Sequence, residues 1–447
     1  MGDADTIVAL ASAPGRSGIS VLRLSGPEVS KLMQAVTGRA LAARVASFCR
    51  FRDANGETID DGIALYFPAP RSYTGEDVLE LHSHGGTVVP RRLLKRCLEL
   101  GARMAQPGEY TRRAFLNDKL DLAQAEAVAD LIDASSEQAA RSAIRSLHGE
   151  FSGQVAALQE GLTGIRVRIE AGIDFPEEEI EFLHASRWAN PLEELGRQID
   201  SLLAAGRQGS ILRDGVRVAI IGPPNSGKSS IINALSKDDV AIVSAIPGTT
   251  RDLIRQSLEI QGLPVHVVDT AGLREAEDLI EKLGITRAWE AASQADIALL
   301  VADLGAGPDS ELEKTLSRLP RHLRLIMAYN KIDLVGQDAR SRRTPQGGYE
   351  VWLSAKTGAG VELLEAAIAE VAGWESGTEG LFIARERHLR ALRECRSCIS
   401  TAIERIPQDE LVAEELRLAQ LALSQLTGEV ASNDLLGEIF ARFCIGK

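Results

Sequence analysis

Three kinds of hydrophobic periodicity follow one another along the chain. Residues 6–10 and 19–24 are short apolar, β-branched runs on either side of the turn Pro14-Gly15-Arg16-Ser17-Gly18, and runs near 63–67 and 78–82 also read as strands. Helical patterns near 27–37 and 87–100 separate them, so residues 1–118 are expected to form an α+β unit. From about 119 the period lengthens. Phe151, Val155, Leu158, Leu162, Ile165 and Ile169 recur at steps of 4, 3, 4, 3 and 4, which places them on one helical seam. Trp188, Leu192, Leu195, Ile199 and Leu202 repeat the pattern beyond the acidic run Asp174-Phe175-Pro176-Glu177-Glu178-Glu179, a solvated loop or helix start. Strand and helix then alternate from 216 to about 372. After 381 the long period resumes with Val412, Leu416, Ala419, Leu423, Leu426 and Val430.

This order has a structural consequence. Two helical arms flank an α/β stretch, and each carries a seam that has to be buried. Packing the arms together makes the α/β stretch an insertion in one discontinuous helical domain. The expected segments are 1–118, 119–212, 213–376 and 377–447.

Length and charge narrow the class. At 447 residues the chain exceeds what a single core organises. It contains no apolar run of 18 residues, and Met1-Gly2-Asp3-Ala4-Asp5 lacks the basic and apolar regions of a signal peptide, so a cytoplasmic protein without a membrane span is expected. A net charge of -13 argues against a large, sequence-independent grip on nucleic acid. Local basic patches at Arg91, Arg92, Lys95 and Arg96, or at Arg112 and Arg113, could still hold a folded RNA. The five cysteines, at 49, 97, 395, 398 and 444, form no disulfide framework, and Cys395 with Cys398 read as one helix face. His82 and His84 share a strand face, where a structural or phosphate-contacting role outweighs metal ligation because no third ligand is apparent.

The chemistry is concentrated in the inserted stretch. Gly222-Pro223-Pro224-Asn225-Ser226-Gly227-Lys228-Ser229 matches G-x-x-x-x-G-K-[ST], follows the apolar run 216–221 and leads through Ser230 into a helical pattern. Strand, glycine loop and helix N-terminus together make a nest of backbone N–H groups for phosphate. Lys228 reaches the terminal phosphates and Ser229 offers a hydroxyl to Mg²⁺. Asp269-Thr270-Ala271-Gly272 ends another strand as D-x-x-G, with Asp269 facing the metal's water and the Gly272 amide the γ-phosphate. Asn330-Lys331-Ile332-Asp333 follows the run 325–329. A carboxylate there accepts from two guanine N–H groups that adenine lacks, so GTP is selected over ATP. Ser354-Ala355-Lys356 completes the base pocket. Gly248-Thr249-Thr250-Arg251-Asp252 sits where a mobile switch belongs, with a threonine able to ligate Mg²⁺ when the γ-phosphate is present. After D-x-x-G stands Leu273, which cannot orient a water, so hydrolysis needs another source of positive charge and another water-orienting group.

These segments resemble the tRNA wobble-uridine modification GTPases, the MnmE (TrmE) family. The resemblance rests on the P-loop asparagine, on Ala241 through Pro247 running into G-T-T-R-D, and on D-T-A-G-L-R from Asp269. It extends to 73–81, to Pro107-Gly108-Glu109-Tyr110-Thr111, to 120–127 and to Phe443-Cys444-Ile445-Gly446-Lys447, essentially end to end. It implies a multidomain α/β + α fold: an N-terminal α+β folate-binding-like domain, a discontinuous helical domain and an inserted P-loop Ras-like G domain. It implies K⁺ beside the phosphates in place of an arginine finger as two G domains meet, with ligands at Asn225, Ser244, Ile246 and Thr249, and Mg²⁺ at Ser229 and Thr250. Glu281 matches the family's water-orienting acid, so Glu281, Lys228 and Thr250 form the expected catalytic set. The nucleotide loops would include Ser226, Gly227, Ser230, Ala245, Pro247 and Gly248. Pro247 departs from the usual small residue and would stiffen its loop.

The same resemblance implies a homodimer that binds 5-formyl- or methylene-tetrahydrofolate through Arg23, Glu80, Lys119 and Lys447, with Cys444 nearby. A carboxylate for the pterin N–H pair and cations for the glutamyl tail are chemically reasonable, although singly these residues would be ordinary surface charges. The implied reaction adds an aminomethyl or carboxymethylaminomethyl group to the wobble uridine of certain tRNAs. The FAD-dependent partner MnmG (GidA) would join it in a heterotetramer-type complex. A GTPase switch in ribosome assembly is the alternative, and a folate-dependent transferase with an idle G domain is a third reading.

Overall fold

The computed structural model describes residues 5–174, 186–223, 225–236, 254–269, 295–306, 319–320, 323–375, 381–428 and 433–446. The chain divides into two compact units. One is built from Met1–Ala129, Leu147–Arg168 and Ala413–Lys447, the other from Asp130–Ser146 and Ile169–Val412.

The first unit is organised on a six-stranded sheet with β1 (Ile7–Leu10), β2 (Ile19–Ser25), β3 (Ser47–Arg52), β4 (Thr58–Phe67), β5 (Val78–His84) and β6 (Arg103–Met104), in the order β3-β4-β5-β2-β1-β6. One face is apolar and is covered by helices α1 (Val29–Thr37) and α2 (Val89–Glu99): Leu22, Leu24, Leu79, Leu81 and Phe51 pack with Leu32, Val36 and Leu93. The register then sets Arg23 opposite Glu80 on the other face, because side chains alternate along each strand. β3 was not expected. It alternates Phe48 and Arg50 outward with Cys49 and Phe51 inward, a period too short and too polar to stand out beside its neighbours.

Helices close this unit. Leu122 and Ala125 pack with Leu436, Ile439, Phe440 and Phe443, which brings the far end of the chain beside its beginning. Pro107 and Ile445 form an antiparallel bridge. All six residues of the seam from Phe151 to Ile169 are buried, as are Leu416, Ala419, Leu423 and Leu426. Within the unit Gln420 donates to the Thr163 hydroxyl at 2.6 Å, tying a helix that precedes the α/β stretch to one that follows it.

The second unit carries a seven-stranded sheet in the order β12-β13-β11-β10-β7-β9-β8. Its strands are β7 (Val216–Ile221), β8 (Ile254–Ile260), β9 (Leu263–Asp269), β10 (Ile297–Asp303), β11 (Arg324–Asn330), β12 (Arg340–Arg343) and β13 (Tyr349–Trp352). The five central strands are parallel and the edge strands β8 and β12 are antiparallel. Parallel strands are covered on both faces, which is why Val216–Ile221 and Ile297–Asp303 read as continuous apolar runs. Helix α3 (Ser186–Asp214) runs against the helix Glu386–Glu404, where Arg396 pairs with Asp200 at 3.1 Å. Cys395 lies buried on that second helix, its thiol pushed up to about 12 by burial, in keeping with a plain helix face.

Candidate functional site

The chain enters the sheet through β7, turns to β9 on one side and to β10, β11 and β13 on the other. That reversal opens a crevice at the carboxyl ends of the strands, where ligands bind in open α/β sheets. The loop from β7 lies there, followed by helix α4 (Lys228–Leu235). Asn225 and Gly227 take left-handed φ values of 59° and 98°, which turns the intervening backbone into a concave nest. Lys228 folds back over it, its Nζ donating to the carbonyls of Gly222 and Pro223 at 2.7 Å each. Its ammonium therefore sits on the loop's own oxygens, ready to be exchanged for phosphate. Ser226 is buried and donates its hydroxyl to Pro223 at 2.9 Å, while Ser229 and Ser230 face outward.

Asn330 holds this loop to the base-recognition loop. Its side chain, 3% exposed, donates from Nδ2 to the Ser226 carbonyl at 2.9 Å and accepts at Oδ1 from the Ala355 N–H at 3.0 Å. Its amide is thus spent on a brace rather than on a ligand. Gly227 is required for the approach, since a Cβ there would collide with that Nδ2. Lys331, at φ 67°, aims its ammonium at Asp303 Oδ2 at 2.6 Å, and that contact holds the Asp303 carboxyl below the usual range. Asp303, at the end of β10, was not among the expected residues; it follows a strand but belongs to no recognisable motif. A cavity of about 620 Å³ opens beside Gly227 and Ser230, walled by Asp333, Ala355 and Lys356. Among the described residues the Asp333 carboxylate has no hydrogen-bond partner, so both oxygens are available.

Several expected residues lie outside the described ones: Ser244, Ala245, Ile246, Pro247, Gly248, Thr249, Thr250, Thr270, Ala271, Gly272, Glu281 and Lys447. Asp269 closes β9, directly beside β7, and its side chain is likewise outside.

In the other unit Arg23 and Glu80 pair across β2 and β5, Nη2 to Oε1 at 2.8 Å, with the two side chains 21% and 16% exposed. Tyr73 and Tyr110 flank the guanidinium at 5.8 and 5.9 Å from their ring centroids. Arg23 Nη1 also donates to the Gly446 carbonyl at 3.5 Å, so the end of the chain reaches this pair. Lys119 instead donates to the Pro70 carbonyl at 3.2 Å and is not among the pair's partners. His82 contacts Glu80 at 3.3 Å and His84 contacts Asp60 at 2.9 Å. Among the described residues no group of three His, Cys, Asp or Glu side chains could hold a metal.

Residues 6–119 match the model for the GTP-binding protein TrmE N-terminus, and residues 122–444 match that for the MnmE helical domain. A protein of Nitrosomonas eutropha named tRNA modification GTPase MnmE is 51% identical over 99% of both chains. Proteins of the same name from Nitrosomonas europaea and Nitrosospira multiformis are 52% and 53% identical, again over 99% of each chain. The chain belongs to the MnmE family. It is a multidomain α/β protein with a G domain. Among solved structures, Aquifex aeolicus Era bound to GDP·AlF4⁻ aligns at 23% identity over 41% of this chain and 66% of that one, with a TM-score of 0.29.

Membership in the MnmE family does not rescue every expectation. The proposed basic patch at Arg112 and Arg113 fails. Arg113 is 3% exposed and bonded to Asp5 at 2.7 Å, Glu109 at 3.0 Å and Glu76 at 3.1 Å, so it is a structural cation. Arg92, Lys95 and Arg96 likewise have carboxylates of their own at Asp53 and Glu99. Glu99 follows Lys95 and Arg96 by one helical turn, whereas Asp53 lies far from Arg92 along the chain, a pairing that charge counting does not reveal. No helix among the described residues is long and apolar enough to cross a membrane.

Proposed function

We propose that this protein is a potassium-stimulated GTP hydrolase that acts in tRNA modification. With a flavoprotein partner of the MnmG (GidA) type it installs an aminomethyl or carboxymethylaminomethyl group on the wobble uridine of certain tRNAs. The observation that carries the GTPase reading is the brace through Asn330, which joins the phosphate nest to the loop beside Asp333. The residues fit a guanine nucleotide. Lys228 exchanges its two loop carbonyls for phosphate oxygens, Ser229 faces outward for Mg²⁺, and Asp333 accepts from the base. K⁺, when bound, supplies positive charge where an arginine finger would stand; Asn225, Ser244, Ile246 and Thr249 would hold it. Thr250 would complete the Mg²⁺ shell and Glu281 would orient the attacking water, which Leu273 cannot do.

In this reading the segments 1–118, 119–212 with 377–447, and 213–376 act as a folate-binding-like dimerisation domain, a helical domain and a G domain. Arg23 and Glu80 fit a reduced folate in chemistry: a half-buried carboxylate and guanidinium between two tyrosines would meet the pterin's N–H pair and ring. Lys119 and Lys447 would meet its glutamyl tail, and a one-carbon unit would come from the bound cofactor. The protein would work as a homodimer in the cytoplasm. GTP turnover measured in K⁺ and in Na⁺ tests the reading: faster turnover in K⁺ is expected, and rates indifferent to the monovalent cation would remove the potassium site.

A further inference from the structure

Arg340 and Arg342 of β12 differ from the helix-borne cations in lying against an aromatic ring. β12 is the outer strand of its sheet, and Arg340, Ser341, Arg342 and Arg343 are all exposed. The register lines up Tyr329 of β11, Trp352 of β13 and Arg340 of β12 in one row across three strands. Their side chains stack in that order. The two rings have centroids 4.9 Å apart and are inclined by 24°, and the Arg340 guanidinium lies 4.3 Å from the Trp352 centroid. Arg342, on the same face, lies 6.0 Å from that ring and pairs with Glu350.

We propose that this row is a contact surface for RNA presenting an unpaired base, which stacks on the outer face of the Arg340 guanidinium while a neighbouring phosphate meets Arg342. The inference rests on the tRNA-directed reading above. A guanidinium plane stacks on a base as readily as an aromatic ring does. Here Trp352 already holds the plane, so little side-chain freedom remains to be lost on binding. Three arginines within four residues are conspicuous in a chain of net charge -13. The Arg342 side chain is 70% exposed against 18% for Glu350, so the guanidinium stands at the surface and, with five N–H donors, keeps some for a phosphate. The stack is also rooted where the nucleotide is read: Asn330 follows Tyr329, and Ser354 follows Trp352 by two residues. A charged edge strand also discourages pairing with another sheet. That role needs charge alone and is served equally by lysine.

The test is binding of an unmodified tRNA transcript to the full chain across a salt series. Arg340→Gln is expected to weaken binding roughly tenfold, the scale of one lost base stack. Arg340→Lys should weaken it too, since it keeps the charge and loses the plane. Arg342→Gln should lower the salt slope by about 1. Arg343→Gln, on the opposite face and facing Glu370 at 3.5 Å, should bind as wild type. GTP turnover without RNA and the melting temperature should stay near wild type throughout, which separates a lost contact from a lost fold. Wild-type affinity in both Arg340 variants overturns the proposal and leaves the proposed function standing. Equal losses in the Arg340, Arg342 and Arg343 variants overturn it as well, because charge alone would then explain binding. A wild-type chain that binds no tRNA overturns both.

Discussion

Asp333 illustrates how much one side chain decides. Its two carboxylate oxygens have no partner among the described residues, so they complement a donor pair, which guanine presents and xanthine does not. Asp333→Asn replaces one acceptor with a donor. It is expected to lower GTP affinity by at least about 100-fold, because buried donors on the base are left unpaired. Xanthosine triphosphate, whose 2-oxo group accepts, should then bind better than GTP. Competition between labelled nucleotides measures both. Arg113 makes the opposite case, a cation whose role is wholly structural. Arg113→Met would leave Glu76 and Glu109 facing each other without it, at a cost of about 3 kcal/mol in chemical denaturation. Arg103 and Arg113 hold the Asp5 carboxyl down at about 2, and the same two arginines keep Glu109 below its ordinary range. Both carboxyls are depressed in the folded state, so their contribution is complete above the ordinary carboxylate range. It is lost as the pH falls through the folded values. Melting temperatures should therefore drop from about pH 4.5 toward about pH 2, and Arg113→Met should flatten that slope.

At the scale of elements, the hairpin of β8 and β9 links the nucleotide end of the sheet to the helices of the same unit. Its turn, Gln261 and Gly262, has φ values of 52° and 82°, as a tight two-residue connection requires. The Trp374 indole donates to the Gln261 carbonyl at 3.1 Å, and Gln208 of α3 braces the residues beside Trp374 through Gly373 at 2.8 Å and Glu375 at 3.2 Å. Gln138 of the helix Glu137–Leu147 closes over Gly262, its amide oxygen lying where a Cβ would stand. The far end of β9 carries Asp269. Trp374→Phe keeps the bulk and removes the donor. It should cost about 1 kcal/mol of stability and slow GTP turnover severalfold while leaving nucleotide affinity unchanged, since neither the phosphate nest nor the base loop is touched. Steady-state kinetics set beside equilibrium nucleotide binding separates the two effects.

For the whole molecule, the periodicity of apolar positions sufficed to announce its parts. Among the described residues the strands at 216–221 and 325–329 and the helical seams are where the pattern places them, because burial on one face imposes a period of 2 or 3.6 on the chain and burial on both leaves an apolar run. The nucleotide motifs were legible for a related reason: a phosphate nest and a guanine reader are each made from neighbouring residues. Pairings between distant segments were not legible. That Asn330 braces Ser226 and Ala355, that Arg113 is consumed by Asp5, Glu76 and Glu109, and that Tyr329, Trp352 and Arg340 share a row all depend on strand order and register. Local composition carries no record of those. A motif is written along the backbone, whereas the partner of a charge or a ring is chosen across it, by which strands the fold sets side by side.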